Sequence, residues 1–569
     1  MTLPGTAQLL VFLALLLVTV RPLGGYMHRV FAGEATPLSP VLRPVEWIYC
    51  RLAGVRPADE QDWRRYAVSF LSFHIPGVLL LYGLLRLQNL LPYNPASMPP
   101  VAPDLALNTA ISFASNTSWQ SYGGETTLGY LAQMAGIAVQ GFLSAAAGIC
   151  VAIALLRGFS RRNSTTIGNF WTDMTRATLY VLLPIAILTA LVFVWQGVPQ
   201  TLDGPAAAVT LEGARQTIPL GPVASQEAIK LLSGDGGGFF NAQSAHPFEN
   251  PTGVTNLLSL LLMPLLGAAL TNTFGRMIGS EREGWALLAA MLALLLAGAV
   301  LLQIVEAGGN HFVTALGVDP HPGNLEGKEI RIGVPGAALF AELATATSSG
   351  AVNAMHDSFL PLSGLILFAN MMLDEVIIGG PGSGLFGMLL FALVAVFIGG
   401  LMIGRTPEYV GNKIEAREIK MAMLALLAVP AVLLFLTALA VVTPAGLAGL
   451  GNAGPHGFSE ILYAYTSAAN TNGSGFAGLT TNTPFYNSTL AGAMLVGRFV
   501  VAIPVIALAG SLATKRRVAP SLGTLPTTGG VWVGLLLGVI IIVGGLTYFP
   551  ALALGPLAEH FEMARGATF

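Results

Sequence analysis

Ten runs of about twenty apolar residues punctuate this 569-residue chain. A run of that length crosses the ~30 Å hydrocarbon layer of a bilayer as a helix, because in lipid each backbone N–H and C=O must find its partner within the segment. The runs fall near 5–27, 66–91, 128–157, 174–198, 253–277, 284–307, 359–404, 419–443, 486–511 and 529–550. Charged residues are only 10% of the chain, against about 25% in soluble domains. That is too few to coat a water-facing surface of this size. The sequence predicts an all-α polytopic membrane protein and excludes a cytosolic enzyme, a nucleic-acid binder and a disulfide-stapled secreted domain. The net charge of −2 offers no field for a polyanion, and Cys50 and Cys150 form neither a disulfide framework nor a metal spacing.

Basic residues orient the spans. Arg21, near the end of the first run, and Arg29, Arg43, Arg51, Arg56, Arg64 and Arg65, which follow it, precede the second. Arg157, Arg161, Arg162 and Arg176 follow the third run, Arg276 and Arg282 the fifth, Arg405, Lys413, Arg417 and Lys420 the seventh, and Lys515, Arg516 and Arg517 the ninth. These make up most of the 27 Lys and Arg. The loops that carry them are expected in the cytoplasm, which puts both termini and the long Gly- and Asn-rich loops outside. No Ala-x-Ala motif follows the first run, so it reads as a retained span.

The outer loops resemble one another. Each has a short helix-forming run, then a small and polar stretch, then a span. The stretches are NTSWQSYGGE (116–125), GDGGGFFNAQSAHPFEN (234–250), TSSGAVNAMHDSF (347–359) and NTNGSGFAGLTTNTPFYN (470–487). With Asn116, Gly234, Ser349 and Thr471 as equivalent points, the intervals are 118, 115 and 122 residues. Such spacing predicts four channel-like repeats of span, pore helix, loop and span. The expected limits are 66–157, 172–277, 283–405 and 419–512, with extra spans at 1–28 and 529–550. One such loop alone reads as an exposed turn. Four in register point to irregular backbone buried around a common axis, where membrane depth tolerates it.

The chemistry of such a ring is cation dehydration, with backbone carbonyls replacing the hydration shell. Gly236, Gly237, Gly238, Gly350 and Gly473 supply the φ freedom that alternating carbonyls require. Asn116, Ser349 and Thr471 offer short side-chain oxygens, and Glu125, Glu249 and Asp357 are placed to draw cations to the mouth or simply to solvate it. Only Asp235 brings a carboxylate into a filter stretch, so neutral oxygens favour a large monovalent ion, K⁺ over Na⁺.

Arg86, Asp374, Glu375 and Arg498 fall within or at the ends of apolar runs, where unpaired charge is costly and usually faces a cavity. Arg86 sits near a span end, where its head can snorkel to the interface. Asp374 and Glu375 precede IIGGPGSG (377–384), whose glycines and Pro381 break a helix. A single crossing by a broken helix over 359–404 keeps Arg405 on the basic side. The break reads either as a gate or tunnel mouth, or as a passive kink.

NTSWQSYGGE (116–125), GGGFFNAQSAHPFENPTG (236–253) and SGAVNAMHDSF (349–359) resemble filter motifs of the potassium-binding A-subunit family of the bacterial Kdp-type potassium-transporting P-type ATPase. The resemblance covers essentially the whole chain. It implies a subunit of the inner membrane that captures external K⁺ and passes it through an intramembrane tunnel to a separate P-type ATPase subunit. It also implies a single-span accessory subunit and a very small fourth subunit. Its coordinating level falls on Asn116, Gly234, Ser349 and Thr471, where the family pattern more often has threonine for Gly234, cysteine for Ser349 and asparagine for Thr471. Gln120 and Gly236 match filter positions, and Glu375 and Arg498 match charged positions linked to the tunnel and subunit interface. The candidate filter set is therefore Asn116, Thr117, Gln120, Gly234, Asp235, Gly236, Gly237, Ser349, Gly350, Asn470, Thr471, Asn472 and Gly473, with Asp374, Glu375 and Arg498 as tunnel or gate candidates. No Asp-Lys-Thr-Gly-Thr or G-x-x-x-x-G-K-[ST] motif is present, so ATP hydrolysis is expected on the partner. The competing readings are a self-sufficient K⁺ channel or ion-coupled symporter of the same superfamily, and a membrane enzyme or scaffold. The last would need His, Cys or acidic residues clustered at one depth.

Overall fold

Span-length helices begin where the chain supplies a cap. The computed structural model describes residues 3–404, 406–516 and 524–566, so Arg405 and Arg517 of the basic loops lie outside the described residues. Asp62 accepts the Arg65 N–H at 2.8 Å, and Asn169 accepts from Trp171 and Thr172. Capping boxes at Thr252/Thr255 and Glu415/Glu418 start two further spans, and Thr483 caps another. Each cap satisfies N–H groups that a helix end leaves open.

Among the described residues ten helices are long and apolar enough to cross a membrane: Leu3–Ala32, Trp63–Leu90, Ala132–Ser160, Phe170–Trp195, Gly253–Met277, Glu281–Ala315, Ser383–Met402, Ala416–Val442, Pro484–Ala513 and Gly530–Ala564. Four shorter helices, Pro103–Ala114, Val223–Leu232, Gly333–Ala346 and Gly454–Ala469, precede the polar loops. The order is therefore an extra span, four units of span, pore helix, loop and span, and a last extra span.

Burial separates the two spans of a unit. In the first unit 89% of the most apolar window of Ala132–Ser160 is buried, against 22% for Trp63–Leu90. Second spans form an inner wall around the loops, and first spans turn large apolar faces outward. The leading extra span packs on Gly253–Met277, where Gly24 lets it lie against the backbone of Ala269. The trailing one packs beside Glu281–Ala307 and Ser383–Ile403.

In the third unit the 359–404 run is one crossing made of two pieces, Pro361–Met372 and Ser383–Ile403. Between them Asp374 (φ 55°), Glu375 (φ 50°), Gly379 and Gly382 take left-handed backbone conformations, so no helical ladder can continue.

Three features depart from the sequence reading. The last helix extends well past 550, bending at Gly555 (φ −98°, ψ −106°) so that its end reaches the outer loops. A hairpin pairs Ala206–Val209 with Arg215–Ile218 ahead of the second pore helix. A 14-residue helix, Ser39–Leu52, occupies the first basic loop. Arg86 lies in the last turn of Trp63–Leu87 and bonds the Val101 carbonyl, so a backbone partner holds its head near the span end.

Candidate ion site

All four pore helices end in the same turn. The residue after the C-cap is left-handed: Asn116 (φ 63°), Gly234 (φ 55°), Ser348 (φ 57°) and Thr471 (φ 58°). The next N–H donates five residues back, from Thr117 to Ser112 (2.9 Å), Asp235 to Lys230 (3.3 Å), Ser349 to Ala344 (3.1 Å) and Asn472 to Ser467 (2.9 Å). This is the Schellman closure of a helix C-terminus. It corrects the register in the third unit by one residue, since Ser348 rather than Ser349 is the backbone equivalent of Asn116, Gly234 and Thr471. The spacing reading missed this because two serines stand side by side. Only one of the four positions is glycine. A β-branched Thr471 with positive φ is strained, which structures retain mainly at functional sites.

The loops interlock in a closed ring. Asn116 Nδ2 donates to the Gly234 carbonyl at 3.3 Å, and Gly350 N–H donates to the Asp235 carbonyl at 3.3 Å. Asn472 Nδ2 donates to Ala344 at 2.9 Å, and Ser121 and Thr481 hydroxyls share a bond of 2.9 Å. Thus the first loop holds the second, the second the third, the end of the third pore helix the fourth loop, and the fourth the first. Glycine is obligatory at the contacts. A Cβ on Gly236 would strike the backbone of Gly350 and Ala351, one on Gly350 would sit 2.7 Å from the Asn472 carbonyl, and one on Gly473 would strike the Thr117 carbonyl. Gln120 clamps the first loop to the second, accepting from Gly238 N–H at 2.9 Å and donating to its carbonyl at 3.3 Å. Gly237 packs against that clamp, and Asn470 donates back to Thr466, finishing its own pore helix.

The broken segment lies directly beneath. Glu375 accepts from the Ser348 hydroxyl and from Asn472 Nδ2 (2.9 Å), and Gly379 N–H donates to Ala346 at 2.9 Å. A Cβ on Gly234 would meet Pro381 at 2.8 Å. A cavity of about 60 Å³ remains here, lined among others by Gly148, Ser348, Asp374, Glu375, Thr471 and Arg498. Arg498 rises on a π-helical turn, Val496–Val500, and donates to the Ser144 carbonyl. Ser144 in turn donates its hydroxyl to Asn116 at 2.9 Å. Asp374, Glu375 and Arg498 thus share one cavity, yet among the described residues no ion pair joins Arg498 to either acid. Ser349 Oγ and Asp374 Oδ1 are buried without a protein partner.

All three mouth carboxylates brace the loops, Glu125 by accepting from Asn241 N–H at 2.9 Å, and the other two are also paired with basic groups. Glu249 accepts from Phe240 N–H and pairs with Lys230, which also holds Glu227 at 2.7 Å. Asp357 accepts from Gly478 N–H at 2.8 Å and pairs with His456 at 3.1 Å, while Glu559 binds the other ring nitrogen at 2.8 Å. Burial alone would lower His456, but its bonds to Asp357 and Glu559 outweigh that and lift it to about 10. Lys230 and Glu227, one helical turn apart, were visible in the sequence as an i, i+3 pair. His456 and Glu559 meet only through the bend at Gly555.

The family of the potassium-transporting ATPase A subunit matches residues 10–561. The chain belongs to that family. It is 61% identical over 569 residues to the "Potassium-transporting ATPase potassium-binding subunit" of Methylorubrum extorquens, spanning 100% of this chain and 99% of that one. It is 60% identical to the protein of the same name from Rhodopseudomonas palustris, spanning 100% of both. The potassium transporter TrkH of Vibrio parahaemolyticus has the same fold at a TM-score of 0.51 and 15% identity, covering 88% of this chain and 97% of that one. As a member of the A-subunit family the chain is a pump subunit rather than the catalytic enzyme.

Proposed function

We propose that this chain binds K⁺ from the periplasmic side of a bacterial inner membrane, in a filter built by its four loops, and delivers it through an intramembrane tunnel to a P-type ATPase catalytic subunit. The observation that carries the reading is the fourfold Schellman turn. It aims four pore-helix C-termini, with their partial negative charge, at one axis. A dehydrated cation gains from four such dipoles and from carbonyls held by an interlocked backbone. The filter residues are Asn116, Thr117, Gln120, Gly234, Asp235, Gly236, Gly237, Ser349, Gly350, Asn470, Thr471, Asn472 and Gly473, and the unpartnered Ser349 hydroxyl is a further oxygen for K⁺.

The cavity beneath is the tunnel entrance, with Asp374 and Glu375 drawing the cation in and Arg498 limiting how long it stays. A pump subunit needs a floor, since an open aqueous path would let captured K⁺ run back. The segment pinned under the loops is that floor, and the ion leaves sideways. Both termini lie outside, and a single-span accessory subunit, a very small fourth subunit and membrane lipid complete the assembly. A self-sufficient channel or symporter is less favoured, because the floor closes the axis that such a protein would keep open.

The test is expression with and without the P-type partner, using wild type and Gly236→Asp. K⁺-stimulated ATPase and uptake should require the partner. In assembled complex, Gly236→Asp should lose K⁺/Rb⁺ discrimination. Uptake by the chain alone at the rate of the complex, or unchanged discrimination in the variant, would sink the reading.

A further inference from the structure

The helix Ser39–Leu52 has two exposed stripes that the ion path does not use. Its inner stripe, Ser39, Leu42, Glu46 and Cys50, faces the protein. Glu46 fastens it, accepting from Arg176 Nε at 2.9 Å and Tyr180 Oη at 2.8 Å. On roughly the opposite side Val41, Val45, Ile48 and Leu52 recur at helical spacing and are exposed, Leu52 by 84%. Beside them runs a second stripe, Arg43, Trp47 and Arg51, each four residues apart. The Arg51 guanidinium lies 5.0 Å over the Trp47 ring.

The anchoring residues set the depth. Arg176 and Tyr180 lie six and ten residues into the span Phe170–Trp195, about 9 and 15 Å along it at 1.5 Å per residue. They stand at its basic end, where Arg176 lines one pocket with Arg157 and Arg161. Arg176 therefore stands near the boundary between headgroups and hydrocarbon, and Tyr180 one turn deeper. An exposed apolar stripe there meets acyl chains, and an indole flanked by arginines sits at headgroup level.

An open cavity of about 510 Å³ adjoins the second stripe, walled by Arg43, Trp47, Arg51, Val55, Arg56 and Pro57. Its one carboxylate, Glu46, is already committed to Arg176 and Tyr180. Among the described residues no carboxylate pairs with Arg43, Arg51 or Arg56. Three cations around an apolar floor, next to an apolar ridge, complement a single phosphate with acyl chains attached.

We propose that Ser39–Leu52 is an interfacial helix and that the Arg43–Arg51–Arg56 cavity binds the headgroup of an anionic phospholipid of the leaflet on the basic side. The lipid phosphate sits among the three guanidiniums, and its chains run along Val41, Val45, Ile48 and Leu52. Bound there, lipid ties the first basic loop to the start of the second unit through Glu46, without touching the filter.

Trp47 is the reporter. The assembled complex is reconstituted in vesicles containing equal mole fractions of brominated phosphatidylglycerol or brominated phosphatidylcholine. The Trp47 contribution is taken as the difference between wild type and Trp47→Phe. Its quenching should show enrichment of the anionic lipid by at least about fivefold, the effect of one interfacial arginine. Arg43→Gln/Arg51→Gln/Arg56→Gln should bring the two lipids level while quenching by both persists. The matching triple lysine variant, which keeps charge, should retain a preference. Co-purification with the partner verifies folding in each case. Equal quenching by the two lipids in wild type would overturn the anionic site. Absence of quenching by either would overturn the lipid assignment and place a protein over this face.

Discussion

The second spans of the third and fourth units start from the same place, just after a filter loop, and end as different objects. Pro484–Ala513 runs unbroken past the loop, taking up its irregularity in the π turn that carries Arg498. The third unit stops at Met372, folds ten residues under the loops and restarts at Ser383. The difference lies in which residues can bring backbone against backbone. Gly382 (φ 102°) lies on the backbone of Gly148, and Gly379 (φ 69°) on that of Gly384. No such run exists in the fourth unit, so its helix has nothing to fold into. One repeat can thus donate a wall and another a floor while their filter turns stay alike.

The largest expected effect comes from filling that contact. Gly382→Val adds a β-branched side chain at positive φ and drives Cβ into the Gly148 backbone. Left-handed strain and overpacking together should cost about 3 kcal/mol or more. The complex should fail to assemble or lose many degrees of thermal stability in detergent. Gly492→Ala on the unbroken span is the control. A Cβ there meets nothing within 4 Å, and helix propensity predicts stabilisation of up to about 1 kcal/mol. Equal responses at the two glycines would remove the distinction between floor and wall.

Next in size are the charges facing the shared cavity. Glu375→Gln keeps a hydrogen-bonding group near Ser348 and Asn472 but removes an acid that attracts a cation. K⁺-stimulated turnover should fall at least about tenfold, at the lower end of what one charge exerts at 4 Å inside a protein, with K⁺/Rb⁺ discrimination little changed. Arg498→Gln should act in the opposite sense, raising passive K⁺ leak in vesicles. If both variants pumped normally without leak, the segment would be a passive kink and the exit route would lie elsewhere.

Much of this was legible beforehand, for reasons that also mark the limits. Apolar runs and caps are local, so ten spans and the single broken crossing could be read directly. The fourfold loop spacing was readable because each loop follows its own pore helix. The third register slipped at Ser348 and Ser349 because composition does not distinguish a left-handed serine from its neighbour; only the five-residue backbone bond does. Glu249 and Asp357 looked like free mouth charges because Lys230 and His456 reach them through folding. Ser39–Leu52 went unread as a helix because two prolines and two arginines masked a stripe at 41, 45, 48 and 52.

A smaller effect should separate the third and fourth units on the outer side. His456 ties the fourth pore helix to Asp357 of the third loop and Glu559 of the last helix. Its folded value near 10 stands above the ordinary 6.5 of an unfolded histidine. The stabilisation is therefore complete below about pH 6.5 and is lost as pH rises through about 10. Thermal stability of wild type should fall from about pH 6.5 to about pH 10 beyond that of His456→Gln, whose curve lacks this component. Parallel curves would show that the tether carries no charge.

The smallest expected effect lies at the filter turn, where three non-glycine residues hold a conformation that glycine takes freely. Asn116 tolerates left-handed backbone, and Ser348 is tied by its hydroxyl to Glu375. Thr471 has neither excuse: its β-branch crowds the backbone at φ 58°, and among the described residues no side-chain bond of its hydroxyl offsets the strain. Thr471→Gly should therefore stabilise the complex by up to about 1 kcal/mol, a degree or two in a chain of this size, while Asn116→Gly should not, since it forfeits the Gly234 and Ser144 bonds. K⁺ affinity decides what the strain is for. If Thr471→Gly raises stability and weakens K⁺ binding, the strained turn holds a carbonyl or hydroxyl where the ion needs it. If stability rises and affinity is untouched, the threonine is tolerated rather than used, and the fourth turn contributes backbone alone.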